Sequence, residues 1–134
     1  MSRVLVDSNV ILDVLTESEE WFDWSAAALA RCADEGELAI NPIIYAEVSI
    51  RFERIEALDD ALAPSQFVRL ALPWEAAFLA GKCFLAYRRK GGVRRSPLPD
   101  FYIGAHAAVG SLTLLTRDGS RYRTFFPNLE IISP

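Results

Sequence analysis

The amino-terminal hydrophobic pattern changes from a strand period to a helix period within a few residues. Val4, Leu5 and Val6 form a short apolar run, which is typical of a strand buried on both faces of a sheet. Residues 7–9 (Asp-Ser-Asn) favour turns and helix starts, and apolar residues then return at helical spacing. The pattern predicts a strand, a turn and a helix, with Asp7 at the carboxyl end of the strand. In open α/β sheets, ligands usually bind at that end of the strands.

Helical and strand-like segments alternate along the rest of the chain. We predict strands over residues 38–40, 67–72, 112–116 and 130–132. We predict helices over residues 19–36, 42–55, 56–63 and 73–89, and a further helix that opens at Asp100. Residues 117–119 are predicted as a turn. Strands that alternate with helices predict an α/β fold, with a central, mostly parallel sheet and helices on both faces.

Two apolar stripes predict which helix faces are buried. Ile44, Val48, Phe52 and Ile55 follow helical spacing after Asn41-Pro42, which is a favourable helix start. The later helix is predicted to be amphipathic through Trp74, Phe78 and Leu85.

Composition limits the class of protein. At 134 residues and 51% hydrophobic residues, the chain is expected to form one domain over residues 1–134 with a substantial core. The formal net charge of −4 does not indicate a nucleic-acid binder, so a polyanion would have to meet a local basic patch or bound cations. Cys32 and Cys83 form no metal-binding pattern and are predicted to be buried and reduced. Asp7 and Asp13 interrupt the first apolar stretch, which argues against a signal peptide or membrane span and favours a cytoplasmic location without membrane association.

Four acidic residues are placed to meet at one edge of the predicted sheet. Asp7 and Asp118 follow two predicted strands, Glu47 lies on the helix after another strand, and Asp100 opens a helix. Such a cluster repels itself unless cations neutralise it, and oxygen-only ligands select Mg²⁺ or Mn²⁺. A metal held there would support phosphodiester hydrolysis without a Ser, Cys or His nucleophile.

Each acid also has a local structural alternative. Asp7 and Asp100 could cap helices, and Asp118 could belong to an ordinary Asp-Gly turn. Glu47 could form a surface ion pair with Arg51, four residues further along the helix. Asn9 could hydrogen-bond only to the local backbone.

Four segments resemble, in their sequences and in their order along the chain, the motifs of PIN-domain ribonucleases, in particular the VapC-type toxins of bacterial toxin–antitoxin pairs. The segments are Asp-Ser-Asn at 7–9, Tyr-Ala-Glu at 45–47, Leu-Pro-Asp-Phe-Tyr-Ile-Gly-Ala-His-Ala at 98–107 and Leu-Leu-Thr-Arg-Asp at 114–118. The resemblance spans residues 4 to about 132, and Ser8 is a common variant in the family.

The resemblance implies a PIN-like, Rossmann-like α/β/α sandwich that cleaves RNA with Mg²⁺ or Mn²⁺. It also implies a homodimer and a cognate antitoxin that occludes the acidic site. The catalytic and metal-binding residues would be Asp7, Glu47, Asp100 and Asp118, with Asn9 and Thr116 in support. Asp7 and Asp100 would hold the main metal, while Glu47 and Asp118 would complete its coordination through water or hold a second metal.

A basic, glycine- and proline-containing segment precedes Asp100. Arg88, Arg94 and Arg95, together with Arg117, are candidate RNA contacts that would guide the phosphate backbone to the acids. Arg121 and Arg123 could join them. The structural alternative is a charged helix end followed by a solvated loop.

Two further features have mainly structural interpretations. His106 is six residues beyond Asp100 and faces mostly away from it on a helix, so a packed or interface histidine is expected. Trp21, Phe22 and Trp24 cannot all share one helix face, so one or two could line a groove for a partner, although core packing is the simpler interpretation.

Two other functions fit parts of the pattern. An aspartate-nucleophile phosphatase of the haloacid dehalogenase type also begins with a strand and Asp-x-Asp, but Asn9 stands at the second acidic position and no suitably placed Lys follows. A receiver-like or degenerate PIN-like module would only bind partners, and four intact acids argue against it.

Overall fold

The computed structural model describes residues 2–91 and 98–134, and five of its segments form one parallel sheet of order β3-β2-β1-β4-β5. The strands are β1 (Ser2–Val6), β2 (Gly36–Ile40), β3 (Phe67–Arg69), β4 (Thr113–Leu115) and β5 (Ile131–Ile132). Every pair of neighbouring strands is parallel. The predicted α/β class is therefore confirmed, and all five predicted strands are present with somewhat different ends.

The described residues form seven helices. They are α1 (Ser8–Leu15), α2 (Phe22–Glu35), α3 (Pro42–Ser49), α4 (Ile55–Ala61), α5 (Trp74–Arg89), α6 (Leu98–Val109) and α7 (Gly119–Arg123). None of them is long and apolar enough to cross a membrane.

The strand order reverses between β1 and β4. From β1 the chain moves outward to β2 and β3, and then returns to the other side of β1 for β4 and β5. In doubly wound sheets this reversal opens a crevice beyond the carboxyl ends of the two central strands. Val6 pairs with Leu115 at those ends, so residues 7 and 116 follow directly at the crevice.

The core occupies both faces of the central strands. Leu5 and Val6 of β1 and Leu114 and Leu115 of β4 are fully buried, as expected for strands covered on both sides. Close packing continues at α6, where a Cβ on Gly104 would overlap the ring of Phe126.

The long apolar stripe predicted after Pro42 is interrupted. Helix α3 ends at Ser49, and a separate helix begins at Ile55. The backbone amides of Arg51 and Phe52 each bond to the carbonyl three residues earlier, which tightens and closes the helix end. Ile55 is consequently exposed rather than aligned with the buried Ile44 and Val48.

The predicted buried face of α5 is wrong. Trp74 and Phe78 are 88% and 70% exposed, and Leu85 is exposed as well. The buried positions are Ala76 and Ala80. Helices α5 and α6 share an extensive interface, in which the rings of Phe84 and Tyr87 contact Phe101 of α6. Trp74, Phe78 and Leu85 lie on the opposite face of α5 and remain exposed.

Two other segments differ from their predictions. Helix α2 begins at Phe22 rather than at residue 19, and Gly36 already belongs to β2. The predicted turn over residues 117–119 leads at once into the five-residue helix α7, which is too short for a periodic pattern to reveal. Cys32 is buried as predicted but Cys83 is only half-buried, and both thiols are free.

Asn41 and His106 connect α3 to α6. The Asn41 side chain caps α3 by accepting a hydrogen bond from the Ile44 amide (2.9 Å), as its sequence position predicted. Because the amide oxygen is used in the cap, its nitrogen faces His106 and donates to Nδ1 at 2.9 Å. His106 is thus a packed histidine, and its neutral form can accept the hydrogen bond from Asn41.

We expect His106 to make the protein less stable in mildly acidic solution. Burial lowers the pKa of His106 below its ordinary 6.5, so the unfolded chain binds a proton there more readily than the folded chain. The stabilising contribution is complete above pH 6.5 and is lost as pH falls below it.

The measurement is urea unfolding between pH 5 and 8 for the wild type and His106→Gln. Because the chain contains a single histidine, the difference between the two pH profiles isolates its titration from that of the carboxylates. Parallel profiles would contradict the prediction.

Candidate functional site

Asp7 lies at the strand-order reversal with its carboxylate turned into the protein. Its backbone amide extends the β1–β4 pairing by donating to Leu115 (2.9 Å). Only 5% of Asp7 is exposed. Its Oδ2 atom accepts hydrogen bonds from Thr116 Oγ1 (2.8 Å) and Tyr122 Oη (2.9 Å). Although Asp7 occupies the N-cap position of α1, its side chain makes no capping hydrogen bond.

Glu47 approaches the crevice from α3. Its Oε1 atom accepts a hydrogen bond from Ser8 Oγ at 2.8 Å, so α1 orients this carboxylate. The ion pair with Arg51 that its helical spacing suggested does not form, because Glu47 turns toward α1 instead.

Asp100 and Asp118 are joined by one guanidinium group. Arg121 Nη1 lies 2.8 Å from Asp100 Oδ2, and its Nη2 lies 3.0 Å from Asp118 Oδ2. Asp100 is the third residue of α6 rather than its cap, and it is buried. Asp118 is half-buried at the start of α7, and its side chain makes no capping hydrogen bond. None of the three predicted aspartates therefore acts as a helix cap.

The carboxylates influence one another electrostatically. Burial raises the pKa of Asp7, although hydrogen bonds from Thr116 and Tyr122 oppose the effect. Burial also raises the pKa of Glu47, and the charges of Asp7 and Asp100 raise it further. The pKa of Asp100 is raised first by burial and then by Asp7 and Asp118, against the attraction of Arg121. The four predicted acids thus form one electrostatic cluster.

Thr116 and Asn9 form the polar support beneath this cluster. Thr116 is fully buried and donates its hydroxyl proton to Asp7. The same oxygen accepts from the Asp118 amide (3.1 Å) and Asn9 Nδ2 (3.4 Å). Asn9 Oδ1 in turn accepts from the Arg117 amide at 3.2 Å. These bonds tie the segment after β4 to the start of α1.

Three residues contact the acids without having been predicted to do so: Ser8, Tyr122, and Arg121, which the sequence suggested only as a further RNA contact. Tyr122 is 2% exposed, and burial together with the nearby acids raises its pKa well above its ordinary value, so it remains a hydrogen-bond donor. The sequence contains one usable signal, since Arg121 follows Asp118 at a spacing that favours an ion pair in a helix. The contacts of Ser8 and Tyr122 depend on tertiary structure.

The candidate RNA-binding arginines have different environments. Arg117 forms a two-pronged ion pair with the buried Asp13 (2.8 and 3.0 Å), and its guanidinium lies over the ring of Trp21. Its contacts therefore indicate a structural role. The guanidinium of Arg88 lies over the ring of Phe84. Arg94 and Arg95 lie outside the described residues.

The aromatic cluster near the start of α2 is divided between core and surface. Trp24 is half-buried and packs against the core, and it makes an edge contact with Trp21. Phe22 is exposed.

The donor set fits a hard divalent cation in its chemistry. It consists of carboxylate oxygens, which are ligands that Mg²⁺ and Mn²⁺ prefer. A positive ion would also relieve the repulsion among these carboxylates. In the part of the chain that the structure describes, no three or more His, Cys, Asp or Glu side chains already converge as a metal site. Two of the acids are instead held by Arg121.

Comparisons with known proteins agree with this architecture. The family model for the PIN domain matches residues 4–124. Similar solved structures include VapBC2 of Rickettsia felis bound to a DNA fragment from its promoter (TM-score 0.73, 19% identity, 98% of each chain). VapBC-1 of nontypeable Haemophilus influenzae has a TM-score of 0.73 at 17% identity, covering 98% of this chain and 97% of the other. A toxin–antitoxin complex of Klebsiella pneumoniae has a TM-score of 0.68 at 21% identity, covering 96% and 95%.

At these identities the solved structures establish a shared fold. No curated protein matches the chain.

We expect Glu47→Gln to stabilise the metal-free protein. Burial and the neighbouring acids raise the pKa of Glu47, so its ionised form weakens the folded state near neutral pH. Glutamine can still accept the hydrogen bond from Ser8. Allowing for solvent at this half-buried group, we expect the free energy of unfolding at pH 7 to increase by about 0.5–1 kcal/mol.

The increase in the free energy of unfolding should disappear as pH falls through the raised pKa of Glu47, because the wild-type carboxyl is then protonated and uncharged like the glutamine. Urea unfolding with EDTA measures both effects, with Glu53→Gln as the control on an exposed glutamate. Destabilisation at pH 7, or a gain that does not depend on pH, would contradict the prediction.

Proposed function

Because this chain belongs to the PIN domain family, we propose that it is a metal-dependent endoribonuclease and the toxin of a toxin–antitoxin pair. The observation that carries the proposal is the electrostatic cluster of four acids at the strand-order reversal. The family supports a nuclease, and the acidic cluster supports divalent metal as the cofactor.

In the proposed site, Asp7 and Asp100 would hold Mg²⁺ or Mn²⁺. Glu47 and Asp118 would complete the set, either through water or at a second ion. When bound, such an ion polarises the phosphodiester and makes water a stronger nucleophile at neutral pH.

The surrounding residues would orient these carboxylates. Thr116 and Tyr122 hold one oxygen of Asp7, and Ser8 holds one oxygen of Glu47. With one oxygen held by Ser8, Glu47 would help to orient the attacking water.

Water is the proposed nucleophile, because the hydroxyl and imidazole side chains considered for this role have other partners. The hydroxyls of Ser8 and Thr116 donate to carboxylates. His106 is buried against Asn41 and has no contact with an acid among the described residues.

The proposed substrate is RNA, which an acidic protein binds through a local basic patch or through bound cations. Arg94 and Arg95 are the strongest candidates, because Arg117 is engaged by Asp13. These two arginines precede α6, whose first turn carries Asp100.

The proposed partners are a cognate antitoxin and a second copy of the chain. The antitoxin is supported by the fold shared with proteins solved as VapBC and toxin–antitoxin complexes. The homodimer is supported by the resemblance to VapC-type toxins.

We predict that Asp7→Asn and Asp100→Asn each reduce RNA cleavage by more than about 100-fold while the protein remains folded. The assay incubates purified protein and RNA with Mg²⁺ or Mn²⁺, with a parallel EDTA sample and a phosphate monoester as a second substrate. Asp34→Asn, on the exposed surface of α2, is the matched control and should retain activity.

Circular dichroism verifies folding of each variant. Full activity of Asp7→Asn would exclude the assigned site. Monoester hydrolysis without RNA cleavage would indicate a phosphatase, and no reaction with either substrate would indicate a binding module.

We predict that replacing Arg94 and Arg95 with Ala weakens RNA binding and reduces the steepness of its salt dependence. Each lost phosphate contact should reduce the logarithmic salt slope by roughly 0.7 for single-stranded RNA. Fluorescence anisotropy with a labelled RNA measures both quantities. Arg3→Ala is the control, because Arg3 lies toward the amino end of β1 and pairs with Glu37. Unchanged affinity and slope in the double variant would exclude these arginines as phosphate contacts.

A further inference from the structure

Among the described residues, Arg121 is the cation that contacts the acidic cluster. Its two terminal nitrogens bind separate carboxylates, Asp100 at 2.8 Å and Asp118 at 3.0 Å. Among the ion pairs of the described residues, these are the ones that involve the four acids. The other nearby guanidinium, Arg117, is directed to Asp13.

The influence of Arg121 extends beyond its two ion pairs. Its positive charge also favours the ionised forms of Asp7 and Glu47. One side chain therefore offsets part of the repulsion among all four acids. In this respect it takes the electrostatic place that a divalent ion would occupy.

The Arg121 side chain could move away from the carboxylates without disturbing the fold. Its side chain is 41% exposed and reaches the cluster from the five-residue helix α7. The adjacent Tyr122 is buried and bonded to Asp7, so it anchors α7 independently of Arg121. An arginine at this position can exchange a carboxylate for solvent while the helix stays in place.

We propose that Arg121 is a built-in counter-cation that competes with the divalent metal for the acidic cluster. This inference rests on the metal site of the proposed function. With Arg121 in place, Asp100 and Asp118 are drawn toward the guanidinium and the cluster does not converge as a metal site. Metal binding weakens these ion pairs because both cations attract the same carboxylates at short range. Arg121 thereby sets the metal concentration at which the site fills.

The test is direct titration of Mn²⁺ into the metal-free, full-length protein, followed by calorimetry and by the electron paramagnetic resonance of free Mn²⁺. We expect Arg121→Gln to bind Mn²⁺ more tightly than the wild type, by roughly 3- to 30-fold for two partly exposed ion pairs. Arg121→Lys should fall between them, because an ammonium keeps the charge but lacks the planar fork that joins two carboxylates. Arg123→Gln is the matched control, since Arg123 lies two residues away and donates to Ser133 instead.

Thermal unfolding provides a second readout that does not depend on activity. In EDTA, Arg121→Gln should melt at a lower temperature than the wild type, because the acids lose their counter-charge. Saturating Mn²⁺ should raise its melting temperature by more than that of the wild type.

Equal or weaker Mn²⁺ binding by Arg121→Gln would overturn the proposal, as would the absence of Mn²⁺ binding in both proteins. Tighter binding by Arg121→Gln together with a wild type that cleaves no RNA would sustain the competition and refute the proposed nuclease. The two proposals therefore fail separately.

Discussion

The buried carboxylate of Asp7 is the constraint on which the site depends. A charge in this position is stable only if hydrogen-bond donors replace the water it has lost. Those donors come from distant parts of the chain, Thr116 directly after β4 and Tyr122 from α7. Parallel pairing of β1 with β4 brings the Thr116 segment beside residue 7, and the hydrogen bonds then join sheet and helix around one carboxylate. The hydrogen bonds that join these elements of the fold therefore also hold the carboxylate of the candidate site.

The other acids follow the same arrangement with different partners. Ser8 holds Glu47, while Arg121 holds Asp100 and Asp118. Burial nevertheless raises the pKa of Asp7, Glu47 and Asp100, so the cluster opposes the stability of the metal-free protein. Such opposition is typical of functional sites, where charge is kept for binding or catalysis at some cost in folding free energy.

Arginines near the site have distinct physical tasks. Arg117 neutralises Asp13, a buried acid that also accepts a hydrogen bond from Ser25, and so fastens the segment after β4 to α1 and α2. Arg121 faces the acidic cluster itself. Both arginines lie close to Asp118 in sequence, but the tertiary structure directs Arg117 to Asp13 and only Arg121 to Asp118.

The sequence by itself determined the order of the strands, the order of every helix except α7, and the four acids of the candidate site. Strand and helix periods, the Asn41-Pro42 helix start and the position of acids after strands are local signals, and parallel strands place their carboxyl ends at one edge. The resemblance to PIN-domain ribonucleases added the family, and the PIN domain match confirmed the family.

Only the tertiary structure decided which surfaces are buried and which groups pair. The exposed Trp74 and the buried Ala76 on α5 could not be distinguished by periodicity, because the helix has apolar residues on both faces and packing against the rest of the protein decides which face is buried. The contacts of Tyr122 and Arg121 likewise arise from α7, whose five residues are too few to form a recognisable period. Side chains far apart in sequence meet there because the strand order reverses, and that reversal is set by the packing of the whole sheet.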